Sequence, residues 1–336
     1  MTLQLDVEPT SVVSEFVATD EIQGRSLSAI AWGRFLRDKT GVVSLGVLIF
    51  LLLCALLAPL ITAALHVDPY TAYPDSLDVA NGGVPAGCPG SFWCGISPAH
   101  PFGVEPGIGR DIFARLLYGL RISLLIAFSS TIITVALGTV FGILAGYLGG
   151  RVDSIIGRLM DIILAFPFLL IVLALSGVMT QRLTTLGVPE GNPSRILYLI
   201  LVFSIFGWPY LARIVRGQVL SVREREFVEA AIAMGAGTRR ILFKEILPNL
   251  WAPIMIYGTL TLPTYISTEA VLSFLGVGIL PPTPSFGAIL ADSVTYMSII
   301  PSYLLIPGGV LAIVVVTFNL LGDSVRDALD PRAGRV

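Results

Sequence analysis

The chain has 336 residues, of which 54% are hydrophobic and 13% are charged, and its mean hydropathy is +0.84. Soluble domains usually carry about 25% charged residues, so this composition argues against an aqueous fold. The formal net charge of −2 gives no electrostatic footprint for nucleic acid, and a nucleic-acid partner is therefore not expected.

The N-terminal 30 residues form the first predicted unit. Five acidic residues precede Arg25, the first basic residue of the chain. A secretory signal has the opposite order, with a positive n-region before an apolar core. Residues 1–30 are therefore predicted to be an acidic cytoplasmic tail.

Long apolar segments follow along the rest of the chain. About 20 apolar residues in a helix cross the hydrocarbon core of a bilayer, and only helices satisfy the backbone in such runs. The sequence thus predicts an all-α integral membrane protein with six transmembrane helices, the fourth interrupted at Trp208-Pro209. The predicted spans are Gly41–Leu65, Ile122–Gly150, Ile155–Met179, Ile196–Ile214, Leu250–Phe274 and Tyr303–Leu321.

Basic residues predict the orientation of these spans. With the N-terminus inside, only five of the 21 Lys and Arg residues lie outside: Arg110, Arg115, Arg121, Arg182 and Arg195. The other 16 are cytoplasmic, as the positive-inside rule requires. Both termini are therefore predicted to be cytoplasmic.

The region 66–119 is a predicted extracytoplasmic loop, rich in Pro and Gly. It is too short to bury a core of its own, so it should pack on the outer ends of the helices. Cys88 and Cys94 flank part of it and could form a disulfide in an oxidising compartment. Their spacing does not indicate a metal site.

Segment 217–249 is the most distinctive cytoplasmic feature. Apolar residues from Phe227 to Met234 recur at helical spacing, and Gly235 and Gly237 are expected to end that helix. Thr238 is expected to cap a second helix leading to Pro248. Such a glycine elbow is either a knob that fits a cleft of a partner or an ordinary hairpin joining two spans.

Three further features lie within the predicted spans. Gly138, Gly142, Gly146 and Gly150 recur every four residues, which permits close approach of another helix, with packing inside the chain preferred over a subunit interface. Arg158 and Asp161 are expected to pair with each other. Glu269 is a candidate for the translocation path, because ionisable residues inside spans are functional by default.

Several motifs resemble ATP-binding-cassette (ABC) importer permeases, in particular the C-type subunit of the dipeptide, oligopeptide and nickel transporter family. The cytoplasmic segment carries Glu229-Ala230-Ala231, Gly235 and Leu247-Pro248, which resemble that family's EAA loop. The other matching stretches are Trp32–Lys39, His100–Gly103, Gly109–Asp111, Tyr118–Leu124, Leu272–Gly276, Pro281–Ser285, Asn319–Asp323 and Arg326–Pro331. The resemblance extends over residues 30–332, nearly the whole chain.

The resemblance implies a type I ABC importer permease fold and a coupling helix that docks on an ATPase subunit. It assigns this docking role to Glu229, Ala230, Ala231, Gly235, Arg239, Arg240 and Pro248. The implied partners are a homologous B-type permease, two ABC ATPases, an extracytoplasmic solute-binding protein and membrane lipid. The implied location is a bacterial or archaeal inner membrane.

The resemblance also divides the chain into predicted units. Residues 31–65 lead into and form the first span, 66–119 form the extracytoplasmic loop region, and 120–322 form the permease core. The coupling loop, 217–249, lies within that core, and 323–336 form a cytoplasmic C-terminal tail.

No catalytic residue is predicted in this chain. The only near match to a phosphate-binding loop, Gly33–Thr40, has Asp38 in place of the second glycine and runs straight into a span instead of following a strand. ATP and Mg²⁺ are therefore expected on partner ATPases, with no cofactor or metal on this chain.

Di- or oligopeptides are the expected substrate. Nickel or another small solute, an ion-gradient-driven transporter and a structural scaffold are the alternatives.

Overall fold

The computed structural model describes residues 27–86, 93 and 95–329. Most of the described chain is helical, and two short antiparallel strands, β1 (Leu77–Asp78) and β2 (Val84–Pro85), pair with Leu77 opposite Pro85. The α-helices are α1 (Leu27–Arg37), α2 (Lys39–Leu56), α3 (Ala58–Ala64), α4 (Ile112–Leu148), α5 (Gly150–Ala165), α6 (Phe168–Thr185), α7 (Asn192–Val222), α8 (Glu226–Ala233), α9 (Thr238–Arg240), α10 (Trp251–Phe274), α11 (Phe286–Tyr296) and α12 (Pro301–Leu329).

Five helices of the described chain are long and apolar enough to cross a membrane: α2, α4, α6, α7 and α12. The all-α membrane class predicted from the sequence is thereby confirmed. The segment predicted as the fifth span forms α10, which has 24 residues and therefore a length of about 36 Å. Helix α10 is not among these five, and its sequence includes threonine, tyrosine and glutamate side chains.

The helix boundaries differ from the prediction where proline controls the backbone. The predicted third span is two helices, because Phe166 takes an extended conformation (φ −82°, ψ 133°) before Pro167. A residue that precedes proline is sterically driven out of the helical region. The first span is also divided, at Leu57 (φ −86°, ψ 5°), and Pro59 lies in the first turn of the second helix, α3.

Helix α7, in contrast, runs without a break through Pro209, so the predicted interruption at Trp208-Pro209 is wrong. A proline inside a helix removes one backbone hydrogen bond. Tyrosines of α10 bind carbonyl groups in this stretch: Tyr257 donates to the oxygen of Gly207 (3.1 Å) and Tyr265 to that of Phe203 (2.9 Å). These contacts tie the two helices together where the proline weakens α7.

The glycine stripe of α4 packs against α7. A Cβ atom built on Gly138, Gly142 or Gly146 would lie 2.7–2.8 Å from the Cβ atoms of Leu211, Val215 or Val219, respectively. The interpretation of the stripe as packing within this chain is therefore confirmed for these three glycines. Gly150 does not belong to this contact, since no neighbour in the described part of the chain lies within 4 Å of a Cβ built there.

The loop region before α4 is held by buried charged groups. Asp111 caps α4, accepting a hydrogen bond from the Ala114 amide (2.7 Å), and also binds Nδ1 of His100 (2.8 Å). Arg110 donates two hydrogen bonds to Glu105, at 2.6 and 2.8 Å. These contacts hold the loop at the start of α4, and the assignment of this end of the helices to the outside stays a prediction. Cys88 and Cys94 lie outside the described residues.

Candidate functional site

Residues 226–250, here called the elbow, connect α7 to α10. Helix α8 ends in a Schellman motif, in which Ala236 N–H donates to the Ala231 carbonyl (3.0 Å) and Gly235 N–H donates to that of Ile232 (2.9 Å). Gly235 has φ +79°, a value at which a side chain costs conformational energy. The predicted glycine turn is therefore confirmed at Gly235.

The second half of the elbow differs from the prediction. Gly237 is extended (φ −67°, ψ 153°) and occupies the N-cap position of α9, with no side-chain cap. Thr238 is the first residue of α9, so the expected capping role of Thr238 is wrong. Helix α9 continues into a π-helical turn (Ile241–Ile246) and a 3₁₀ turn (Leu247–Leu250) that leads directly into α10.

Most of the predicted docking residues lie on the surface of the elbow. The exposed positions are Glu229, Ala230, Gly235, Arg239, Arg240 and Pro248. Ala231, in contrast, is only 6% exposed and faces the body of the chain. The elbow tip is apolar, since the Met234 side chain is 79% exposed and that of Ile232 is 52% exposed. The sequence-based prediction did not assign these two residues to the docking surface, although both lie between Ala231 and Gly235.

The elbow is anchored to the membrane helices by a hydrophobic cluster. Val228, Ile241, Ile246 and Leu250 are buried together with residues of α4, α7 and α10. Close-packed side chains transmit displacement instead of absorbing it. A movement imposed on the elbow tip therefore has a packed route to α7 and α10.

Two ion pairs link α5 and α7. Arg216 donates two hydrogen bonds to Asp153, at 2.5 and 2.7 Å, and the Arg216 guanidinium holds the pKa of Asp153 below its ordinary value. Asp161 pairs with Arg213 at 2.5 Å. The expected pair between Arg158 and Asp161 is therefore wrong, since the partner comes from a neighbouring helix.

Glu269, the predicted path residue, lies in the interior of the chain. Its side chain is completely buried and accepts hydrogen bonds from Ser123 of α4 (2.5 Å) and Ser273 (2.7 Å). Ser273 in turn accepts a hydrogen bond from the Ile279 amide (3.0 Å). Glu269 thus joins α4, α10 and the following loop, and its carboxylate does not reach an open surface of the chain.

A groove of about 550 Å³ opens beside this core. Its lining residues are Ile163, Leu164, Phe166, Phe168, Phe203, Phe206, Gly207, Tyr210, Tyr257, Leu260, Thr261, Thr264, Tyr265 and Thr268. They come from the α5–α6 junction, α7 and α10, and none of them is Asp, Glu, Lys, Arg or His. The wall is therefore aromatic and hydroxyl-bearing, without formal charge.

Sequence reasoning missed this groove. The signal was available in α10, where Tyr257, Thr261, Thr264, Tyr265 and Thr268 follow helical spacing and share one face. The sequence-based prediction lacked the break between α5 and α6 at Phe166, which leaves space for the groove opposite that face of α10.

The chain matches two protein-family models. Residues 138–335 match the model described as "Binding-protein-dependent transport system inner membrane component". Residues 26–81 match the "N-terminal TM domain of oligopeptide transport permease C". Together the two matches include most of the chain.

Curated proteins and solved structures agree with these matches. The chain is 35% identical to the oligopeptide transport system permease protein OppC of Haemophilus influenzae, over 95% of this chain and 93% of that protein. It is 36% identical to OppC of Bacillus subtilis, over 93% of each. An inward-facing structure of the MetNI methionine ABC transporter is similar in fold, with TM-score 0.51 and 20% identity over 64% of this chain and 96% of the matched chain.

The resemblance to ABC importer permeases is therefore confirmed: this chain belongs to the family of inner-membrane permease components of binding-protein-dependent ABC transport systems.

Proposed function

We propose that this chain is the C-type permease of an importer for di- or oligopeptides and that its elbow is the docking site for an ATPase subunit. The observation that carries the docking role is the Gly235 turn, which projects an apolar tip and continues through α9 and the two irregular turns into α10. An ATPase subunit that binds the elbow tip can therefore move α10 when that subunit binds ATP.

The peptide assignment rests on the relatives and on the groove. The relatives include proteins named for oligopeptide, dipeptide and glutathione transport. Nickel is disfavoured because the groove residues include no imidazole, thiolate or carboxylate, and transition metals favour such ligands. We assign the residues that line the groove to the wall of the translocation path, and we no longer assign Glu269 to it.

The remaining architecture is part of the same proposal. Helix α10 is the sixth span, accepted despite its polar residues because they line the groove, bind other elements or donate to carbonyls of α10 itself. Both termini are cytoplasmic, and the unit boundaries given above stand as predictions. A homologous B-type permease completes the path, two ATPases bind ATP and Mg²⁺, and a solute-binding protein delivers the peptide.

The test is uptake by proteoliposomes that contain this chain with its companion permease, ATPases and binding protein. Radiolabelled Ala-Ala-Ala and nickel are offered in parallel. We expect peptide uptake that requires both ATP and the binding protein. Uptake of nickel alone would reject the peptide assignment, and uptake driven by an ion gradient without ATP would reject the importer.

A further inference from the structure

The groove differs from an ordinary apolar cleft in the hydroxyl groups that α10 places along it. Five of its lining residues carry hydroxyls on this helix: Tyr257, Thr261, Thr264, Tyr265 and Thr268. Their number and common face indicate a surface that contacts a polar ligand.

Every one of these five hydroxyls uses its proton inside the protein. Thr261, Thr264 and Thr268 donate to the carbonyls one turn earlier, at 2.7, 3.2 and 2.7 Å. Tyr257 and Tyr265 donate to carbonyls of α7, at 3.1 and 2.9 Å. A hydroxyl has one proton and two lone pairs, so all five donors are engaged and lone pairs remain, although the Tyr265 oxygen already accepts from Thr134 (2.9 Å).

The hydroxyl wall of α10 is therefore arranged to accept hydrogen bonds from a ligand, since each of its protons already has an acceptor within the protein. Among the described residues, none that lines the groove is Lys, Arg or His, so none of them neutralises a carboxylate. Polar groups removed from water need partners of the opposite kind. Such a wall stabilises ligand N–H groups and disfavours ligand carboxylates.

We propose that this wall, if the proposed peptide-import function holds, recognises the N–H donors of the cargo: the α-ammonium group and the backbone amides. Thr264 and Thr268 are the principal acceptors, since Thr264 is exposed and Thr268 is half-buried, whereas Thr261 is 8% exposed. The carboxyl terminus of the peptide is bound elsewhere, outside this wall.

The test compares the double variant Thr264→Val/Thr268→Val with Thr259→Val in the reconstituted complex. Valine keeps the shape of threonine and removes the acceptor oxygen. Thr259 is a matched control, because it lies on the same helix and donates to the Ile256 carbonyl (3.0 Å) but does not line the groove. The substrates are Ala-Ala-Ala and its analogue with both peptide nitrogens methylated.

We expect the double variant to raise the KM for Ala-Ala-Ala uptake about tenfold, as the loss of ordinary hydrogen bonds predicts. The unmodified complex should prefer Ala-Ala-Ala to the methylated analogue, and the double variant should lose that preference. Thr259→Val should keep both the KM of the unmodified complex for Ala-Ala-Ala and its preference for that peptide over the methylated analogue. Peptide-stimulated ATP hydrolysis at saturating peptide checks that the double variant is still assembled.

Two other outcomes are distinguishable. If the unmodified complex imports Ala-Ala-Ala with ATP but the double variant matches Thr259→Val in both KM and preference, the acceptor wall is rejected and the importer stands. If the unmodified complex imports neither peptide with ATP, the proposed function fails and the inference fails with it.

Discussion

Two glycines of the elbow have the same surroundings and different conformations. No atom of the described residues lies within 4 Å of a Cβ built on Gly235 or Gly237, so crowding by them does not explain either conformation. Gly235 has φ +79° and Gly237 has φ −67°. Only the first conformation is costly for a residue with a side chain, by about 1–2 kcal/mol.

This contrast gives the first prediction. Gly235→Ser should distort the turn and reduce peptide uptake and peptide-stimulated ATP hydrolysis together, because the elbow tip no longer presents the same surface. Gly237→Ser is the control, since serine is favoured at an N-cap. Equal activity of the two variants in the reconstituted complex would contradict a role for the Gly235 turn.

Glu269 is the subject of the second prediction. Glu269→Ala should lower the free energy of unfolding by about 2–4 kcal/mol, because it leaves the Ser123 and Ser273 hydroxyls without their acceptor and creates a cavity. Glu269→Gln keeps the volume and an acceptor oxygen and should lose much less. Thermal denaturation in detergent measures both variants. If Glu269→Ala is as stable as the unmodified chain, the carboxylate does not hold α4 and α10 together.

Helices α4 and α7 form the close contact on which the elbow and the groove depend. The contact needs glycine on α4 because α7 offers β-branched and leucine side chains opposite, and a methyl group at Gly142 would lie 2.7 Å from Val215 Cβ and 2.8 Å from the Ala212 carbonyl oxygen. Separating the two helices would displace both the floor of the groove and the anchor of the elbow.

Gly142→Ala should therefore destabilise the chain by about 1–3 kcal/mol, the usual cost of overpacking. Gly46→Ala is the matched control, because Gly46 lies in α2 with nothing within 4 Å of a Cβ and alanine favours a helix. The measurement is again thermal denaturation in detergent. A stable Gly142→Ala protein would show that the helices separate at little cost.

For the whole molecule, the proposed orientation places β1, β2 and the short turn between them outside and the elbow inside. Val79, in that turn, and Met234, at the elbow tip, are both 79% exposed, so they serve as equally accessible probes. Each is changed to cysteine in a chain whose own cysteines, Cys54, Cys88 and Cys94, are replaced by serine.

In right-side-out membrane vesicles, a membrane-impermeant maleimide should label Val79→Cys directly. Met234→Cys should react only after the vesicles are permeabilised. Labelling of Met234→Cys in intact vesicles would reverse the orientation derived from the positive-inside rule. Equal labelling of both before permeabilisation would contradict a single orientation.

The sequence by itself determined the membrane class, the family and the Gly235 turn. Each depends on information that is local in the chain: apolar runs long enough to span a bilayer, motifs of fixed spacing, and a glycine at the end of an amphipathic helix. The same local information misplaced Thr238 by one position, because a helix start is set by backbone conformation as well as by residue type.

The tertiary structure decided which side chains meet. Asp161 pairs with Arg213, 52 positions away, rather than with Arg158, one turn away, and Ala231 faces inward while Ala230 faces outward. Glu269, which the sequence predicted to lie on the translocation path, is enclosed by serines of two elements, Ser123 and Ser273. The groove forms where the break between α5 and α6, just before Pro167, lies opposite the hydroxyl-bearing face of α10. Only the tertiary structure shows that these two elements face each other. Burial and pairing depend on which helices become neighbours, and apolar helices of similar length do not specify their neighbours by composition alone.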